Sequence, residues 1–146
     1  DYQEWVIATV VATHMLVGAT GWTRYCFGDP RKHKPTLNSY ISHSPQSLNA
    51  MVLNMAFMKV FYEIAMNPKY APYFRLVGQI HDSIPFFYHK DHLYLPDMVK
   101  ERMEIPVTIK DIKGIERTFT VPAALKIGKT DKEGNFKRAV YWSETE

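Results

Sequence analysis

Phe74-Arg75-Leu76-Val77-Gly78-Gln79-Ile80-His81-Asp82-Ser83-Ile84-Pro85-Phe86-Phe87-Tyr88 is the stretch on which the reading of this chain turns. Leu76, Gly78 and Ile80 fall on one side and Val77 and Gln79 on the other, a period of two. Ile84, Phe86 and Tyr88 repeat the alternation after the His-Asp pair. Two alternating runs around a short polar break predict a β-hairpin with His81-Asp82 at or near its tip. Burying an unpaired charge costs several kcal/mol, so Asp82 is expected to sit in water, meet a cation or hold a metal. Aspartate is also a common turn former, and judged from the turn alone that reading is favoured over the metal.

Upstream, Ser44-Pro45 reads as a helix start, a hydroxyl cap followed by proline in the first turn. The helix is predicted from Pro45 to about Met66, where Asn67-Pro68 stops it. Leu48, Met51, Val52, Leu53, Met55, Phe57, Val60, Phe61 and Ile64 leave it little polar surface, which predicts a central helix packed on both sides. Gln46 sits in its first turn, where a side chain can leave the core. Downstream, Asp91 to Met103 reads as a second helix, begun or interrupted at Pro96. Its apolar side is Leu95, Met98, Val99 and Met103, and Asp97, Lys100, Glu101 and Arg102 face outward.

Gln-Ile-His-Asp-Ser behind a long apolar helix opening Pro45-Gln46-Ser47 resembles the family A DNA polymerases, most of all their bacteriophage branch. The likeness runs from about Met15 to Trp142 and covers the last part of such an enzyme. It implies an α+β fold: an antiparallel palm sheet carrying the His-Asp hairpin, backed by the long central helix and a second, shorter helix. It implies a DNA-directed DNA polymerase, a nucleotidyltransferase of DNA replication, in which two Mg²⁺ ions stabilise the attacking and leaving oxygens. Asp82 matches the family's metal-binding aspartate. His81 matches its histidine near the primer terminus, so the pair is the expected catalytic set. Gln46 matches the glutamine that reaches minor-groove acceptors, which every base pair presents. Asn38 and Ser42 stand at positions often occupied by Arg and Asn in bacterial members, and Ser83 stands where many members have Glu. The family's closing Pro, Gly and Trp match Pro122, Gly128 and Trp142, with a longer spacing before the Trp.

A second aspartate motif of the type Asp-x-Ser-x-x-Glu and the fingers helix are not in this sequence. The resemblance therefore implies a C-terminal palm portion, inactive until an upstream polypeptide supplies them. Its expected partners are that polypeptide, primer–template DNA and a dNTP. The alternative is a non-catalytic palm-derived fragment that scaffolds a partner or binds DNA. His-Asp also marks the HD phosphohydrolases, but His14, His33, His43, His89 and His92 lack their helical spacing.

The rest of the chain fits that setting. At 146 residues, with 46% apolar and 14% aromatic residues, it reads as a single domain with a substantial core, not a disordered segment. The net charge of +3 permits nucleic-acid binding without indicating it. Pro30 and Pro35 bracket Arg31, Lys32, His33 and Lys34 in a predicted loop from Gly28 to Thr36. With Arg24 it forms an expected phosphate-facing edge, its alternative being a solvated turn. Trp5 to Val17 is too short to span a bilayer and lacks a basic leader, so no membrane association is expected. One cysteine, Cys26, excludes an internal disulfide and suggests a cytoplasmic setting, the host cytoplasm for a phage protein. An opening helix to about His14 should bury Trp5, Val6, Val10 and Val11. A hairpin is predicted across Met15 to Phe27, another over Ile105–Lys110 and Arg117–Val121, and a further strand over Ala123–Gly128, followed by a turn at Glu133-Gly134-Asn135.

Overall fold

A computed structural model describes residues 1–130 and 136–141. The fold is mixed α+β. In chain order it has α1 (Tyr2–Thr13), β1 (Met15–Val17), β2 (Thr23–Tyr25), α2 (Lys34–Ile41) and α3 (His43–Val60), the last continuing as a π turn over Phe61–Ala65. A 3₁₀ turn (Ala71–Tyr73), β3 (Phe74–Leu76), β4 (Phe86–Tyr88), α4 (Tyr94–Met103), β5 (Pro106–Lys110), β6 (Glu116–Thr120), β7 (Lys126–Thr130) and β8 (Phe136–Tyr141) follow. The strands pair as four separate two-stranded ladders, β1-β2, β3-β4, β5-β6 and β7-β8, and no larger sheet joins them among the described residues. The chain divides into two compact units, Asp1–Met55 with Pro106–Phe119 and Ala56–Ile105 with Thr120–Glu146. No helix among the described residues is long and apolar enough to cross a membrane.

In the first unit the carboxylate of Asp1 caps α1 by accepting from the Gln3 amide at 2.8 Å. His14 ends the helix in the left-handed region (φ 54°), its amide returning to the Val10 carbonyl. Only Val6 and Val10, four residues apart, are buried. Trp5 and Val11 are exposed, so the expected four-residue face narrows to a stripe. β1 and β2 pair antiparallel with Leu16 opposite Arg24, and the Cys26 amide extends the pairing to the His14 carbonyl. Val6, Val10, Leu16, Cys26 and Tyr40 form the core of this unit. Burial pushes the Cys26 thiol above its ordinary pKa and leaves it chemically quiet.

The expected loop to Thr36 ends early, because α2 begins at Lys34. Pro35 in its first turn has no amide hydrogen to leave unpaired there, so the proline starts a helix instead of closing a loop. The β5-β6 hairpin forms where expected. Asp111 organises its turn, accepting from the amides of Lys113 and Ile115 and from Arg117, with Gly114 at φ 79°.

Helix α3 starts at His43, two residues before Pro45. Ser42 keeps helical dihedrals (φ −76°, ψ −12°), so α2 runs almost unbroken into α3 and the predicted Ser44 cap lies inside the helix. Val52, Ala56, Val60 and Ile64, each four residues from the next, make one buried stripe. Met55, Met58, Tyr62 and Met66 are exposed, so α3 and its π turn bury one side and not two. In the second unit Val60 and Ile64 pack with Phe74, Leu95 and Val99. Leu76, Phe86, Tyr88, Met98 and Met103 close around them, which joins the end of the long helix, α4 and the inner face of β3-β4. The outward face of α4 carries Asp97, Lys100 and Glu101 as expected. Arg102 bridges Glu63 and Glu101, pairs near the surface that contribute little to stability. The strand expected at Ala123–Gly128 begins at Lys126 and pairs antiparallel with β8, Lys126 opposite Tyr141. The turn expected at Glu133-Gly134-Asn135 and Trp142 lie outside the described residues.

Candidate functional site

The hairpin at the head of the second unit is built by alternation. Phe74 pairs with Tyr88, Arg75 with Phe87 and Leu76 with Phe86. Phe74 and Ile84 are buried and Leu76, Phe86 and Tyr88 half-buried, while Arg75, Val77, Gln79 and Phe87 face solvent. The ladder continues one step, the Val77 amide donating to the Pro85 carbonyl at 3.0 Å. From there Val77, Gly78 and Gln79 oppose only Ile84 and Pro85 before Ile80 and Ser83 bridge. One extra residue on the first strand is a β-bulge, and Gly78, at φ 157°, occupies its centre. Pro85 has no N–H to return to that strand, which removes the bond a regular ladder would need. The bulge carries Ile80 out of the inner face, where it is 55% exposed despite its even place in the alternation.

Beyond the bulge the tip is tight. The amides of Ile80 and Ser83 each donate to the other's carbonyl at 2.9 Å, and the Ser83 hydroxyl donates to the Ile80 carbonyl at 2.8 Å. His81 and Asp82 are the two residues left between them. His81 takes φ 52°, a left-handed conformation that non-glycine residues rarely adopt. Both side chains are exposed and have no hydrogen-bond or ion-pair partner among the described residues. The aspartate is thus open to solvent and to whatever approaches from it. No group of three His, Cys, Asp or Glu able to hold a metal occurs among the described residues. Mg²⁺ needs only one or two protein carboxylates beside water and phosphate, so Asp82 fits as a single ligand and not as a cage. Ser83 is occupied by the turn and takes no part in that donor set.

The remaining predicted residues lie in the first unit. Asn38 and Gln46 are exposed, Gln46 in the first turn of α3. The Ser42 amide donates to the Asn38 carbonyl and the Gln46 amide to the Ser42 carbonyl, so these three residues stack on successive turns of one helical face. The sequence reading placed Asn38 ahead of the helix and missed this ridge. Arg24 is committed: its guanidinium donates to the Ser39 carbonyl (3.0 Å) and hydroxyl (2.6 Å) and lies 5.4 Å from the centre of the Tyr40 ring. Arg31 makes a two-pronged pair with Asp29, whose carboxyl these hydrogen bonds hold down at about 2. Lys32 and Lys34 are exposed and make no salt bridge among the described residues, although the charge of Lys32 also reaches Asp29.

An open depression of about 380 Å³ lies beside this basic turn, lined by Arg24, Tyr25, Phe27, His33, Pro35, Thr36, Ser39 and Tyr40. It was not read from the sequence, although Tyr25-Cys26-Phe27 carries the signal, two rings flanking an inward cysteine. At the foot of the β3-β4 hairpin a second unanticipated cluster has His92 stacked on Tyr73 (3.8 Å between centroids) and bonded to the Tyr94 hydroxyl. His81 and Asp82 thus belong to the second unit, and Gln46, Asn38, Arg24, Arg31, Lys32 and Lys34 to the first. Comparison with models of protein families, with curated proteins and with solved structures finds no match to this chain.

Proposed function

We propose that the chain is a palm portion of a family A-like DNA polymerase, with His81-Asp82 turned toward the reacting end of the primer. One observation supports this above the others. An apolar hairpin packed against a long helix ends in a carboxylate and an imidazole that nothing in their own unit engages. A turn that needed Asp82 only for its shape would use the side chain in the turn, as Asp111 is used between β5 and β6. In this reading β3-β4 is the catalytic hairpin of the palm and α3 the helix behind it.

Asp82 would hold Mg²⁺, which when bound supplies positive charge at the phosphate oxygens. His81 donates an N–H to a phosphate oxygen near the primer end and so positions it. Gln46 and Asn38, on one helical face, donate to minor-groove acceptors of the primer–template duplex, reading pairing without sequence. An upstream polypeptide contributes the other aspartate and the contacts to the dNTP. The Asn38–Ser42–Gln46 ridge does not depend on Asp82, and it favours a second reading in which the chain binds duplex DNA as a scaffold without catalysis.

Asp82→Asn separates the two. Mixed with the upstream polypeptide, the variant should lose at least ~10³ in single-nucleotide incorporation, about 4 kcal/mol of barrier. Its stability should stay within about 0.5 kcal/mol, because the carboxylate is exposed and unpartnered. Incorporation within a few-fold of wild type would end the catalytic reading and leave the scaffold.

A further inference from the structure

The depression between β2 and α2 has a composition that a duplex backbone does not require. Phe27 is 84% and Tyr25 68% exposed, so two aromatic rings stand in water side by side. They flank buried Cys26, which places them on the same face of an extended segment. The segment is held from behind: the Cys26 amide donates to the His14 carbonyl and the buried Tyr40 hydroxyl donates to the Phe27 carbonyl. The rings are therefore presented on a fixed backbone, without a hydrophobic cluster of their own to join. Arg24, His33 and Thr36 line the same depression. Arg24 spends two of its five N–H groups on Ser39 and keeps the others. Around this site, residues 24–36 carry four cations against the single carboxylate of Asp29, which Arg31 already holds in a two-pronged pair, and neither Lys32 nor Lys34 makes a salt bridge among the described residues.

We infer that this depression takes an unstacked base of a single-stranded nucleic acid, the base lying on Phe27 and the adjoining phosphates meeting Lys32 and Lys34. Stacking on an exposed ring needs a free π-face, which bases inside a duplex do not offer and single strands do. The size fits as well, about 380 Å³ being at the lower end for sites that hold small organic groups. The inference rests on the nucleic-acid part of the reading above and is independent of Asp82 and of catalysis.

The test is the affinity of the full chain for labelled oligo-dT, oligo-U and a blunt duplex of equal length, followed by fluorescence anisotropy at several salt concentrations. Phe27→Ala should weaken single-strand binding by ~10-fold and leave duplex binding unchanged, with Phe27→Trp restoring it. Because the ring is exposed, circular dichroism should show both variants folded. Lys32→Gln combined with Lys34→Gln should lower the slope of log single-strand affinity against log salt by about 1.4. The dT and U arms distinguish DNA from RNA as the source of the base. Single-strand binding indifferent to Phe27, with duplex binding intact, overturns the inference and leaves the polymerase proposal standing. Phe27-dependent binding in a chain whose Asp82→Asn variant keeps full incorporation upholds the inference and removes the catalytic proposal. Absence of binding to either nucleic acid at low salt overturns the inference and the nucleic-acid reading together.

Discussion

Replacing His81 by glycine should make the protein more stable. His81 holds φ 52°, where an L-residue pays roughly 1–2 kcal/mol for the approach of its Cβ to the following carbonyl. Glycine relieves that strain and gives back about 0.5–1 kcal/mol through its greater freedom in the unfolded chain. The imidazole is exposed and without a partner among the described residues, so its removal sacrifices little else. The expected net gain is about 0.5–1 kcal/mol, read as a shift of the guanidinium midpoint at constant slope. The hairpin packs into the Val60–Ile64–Phe74 core through its inner face, which couples relief at the tip to unfolding of the unit. His81→Ala should fall slightly below wild type and His81→Val lower still, since a branched Cβ suits the left-handed region worst. If His81 acts at the primer end, the glycine variant will gain stability and lose incorporation together. A glycine variant less stable than wild type would refute the argument, because it would mean that the imidazole makes a stabilising contact or that the tip is not left-handed.

Other outcomes follow from the same packing. Leu95→Ala, at a fully buried position of the second core, should cost about 2–5 kcal/mol in urea unfolding, and a loss under 1 kcal/mol would show that the cluster is not a core. A Cβ at Gly18 would come within 2.9 Å of the Ser47 hydroxyl, itself bonded to the Ser44 carbonyl, so Gly18→Ala should destabilise by about 1–3 kcal/mol. Adding Ser47→Ala should recover most of that loss, and strictly additive effects would place the two residues apart. Asp29 has its folded pKa lowered to about 2 by the hydrogen bonds of Arg31. The stability it contributes is present above the unfolded value of ~3.9 and is lost as pH falls toward the folded one. Melting temperatures between pH 5 and pH 2 should therefore fall less steeply in Asp29→Asn than in wild type.

The hairpin was legible because its signal is local: Phe74, Leu76, Ile84, Phe86 and Tyr88 alternate with residues that water accepts, and burial followed that pattern. Helix α4 was legible for the same reason, through Leu95 and Val99. The bulge at Gly78 was not, although Pro85 announces that one amide is missing from the ladder. Register depends on where the missing bond falls, and alternation on each strand is silent about that. Helix α2 was hidden because a proline among basic residues suits a loop as well as a first turn. The exposed side of α3 was hidden because methionine is accepted in cores and on surfaces alike. At the candidate site, the tip position of His81-Asp82 could be read, but the engagement of Arg24 by Ser39 spans fifteen residues and leaves no mark in the local sequence.

The π turn at Phe61–Ala65 constrains how the length of this helix can change. The Met66 amide reaches back five residues to the Phe61 carbonyl, so this stretch holds one residue more than an α-helical path requires. Deleting Tyr62 or Glu63 would restore ordinary hydrogen bonding and leave the local backbone more regular. Because the surplus residue is taken up inside the turn, the backbone beyond it would keep nearly its present direction. The turn is thus a place where this helix can lose a residue at low cost: deleting Tyr62 or Glu63 should be far less damaging than deleting a residue from the α-helical stretch before it, where everything that follows would turn by about 100° and draw back by about 1.5 Å.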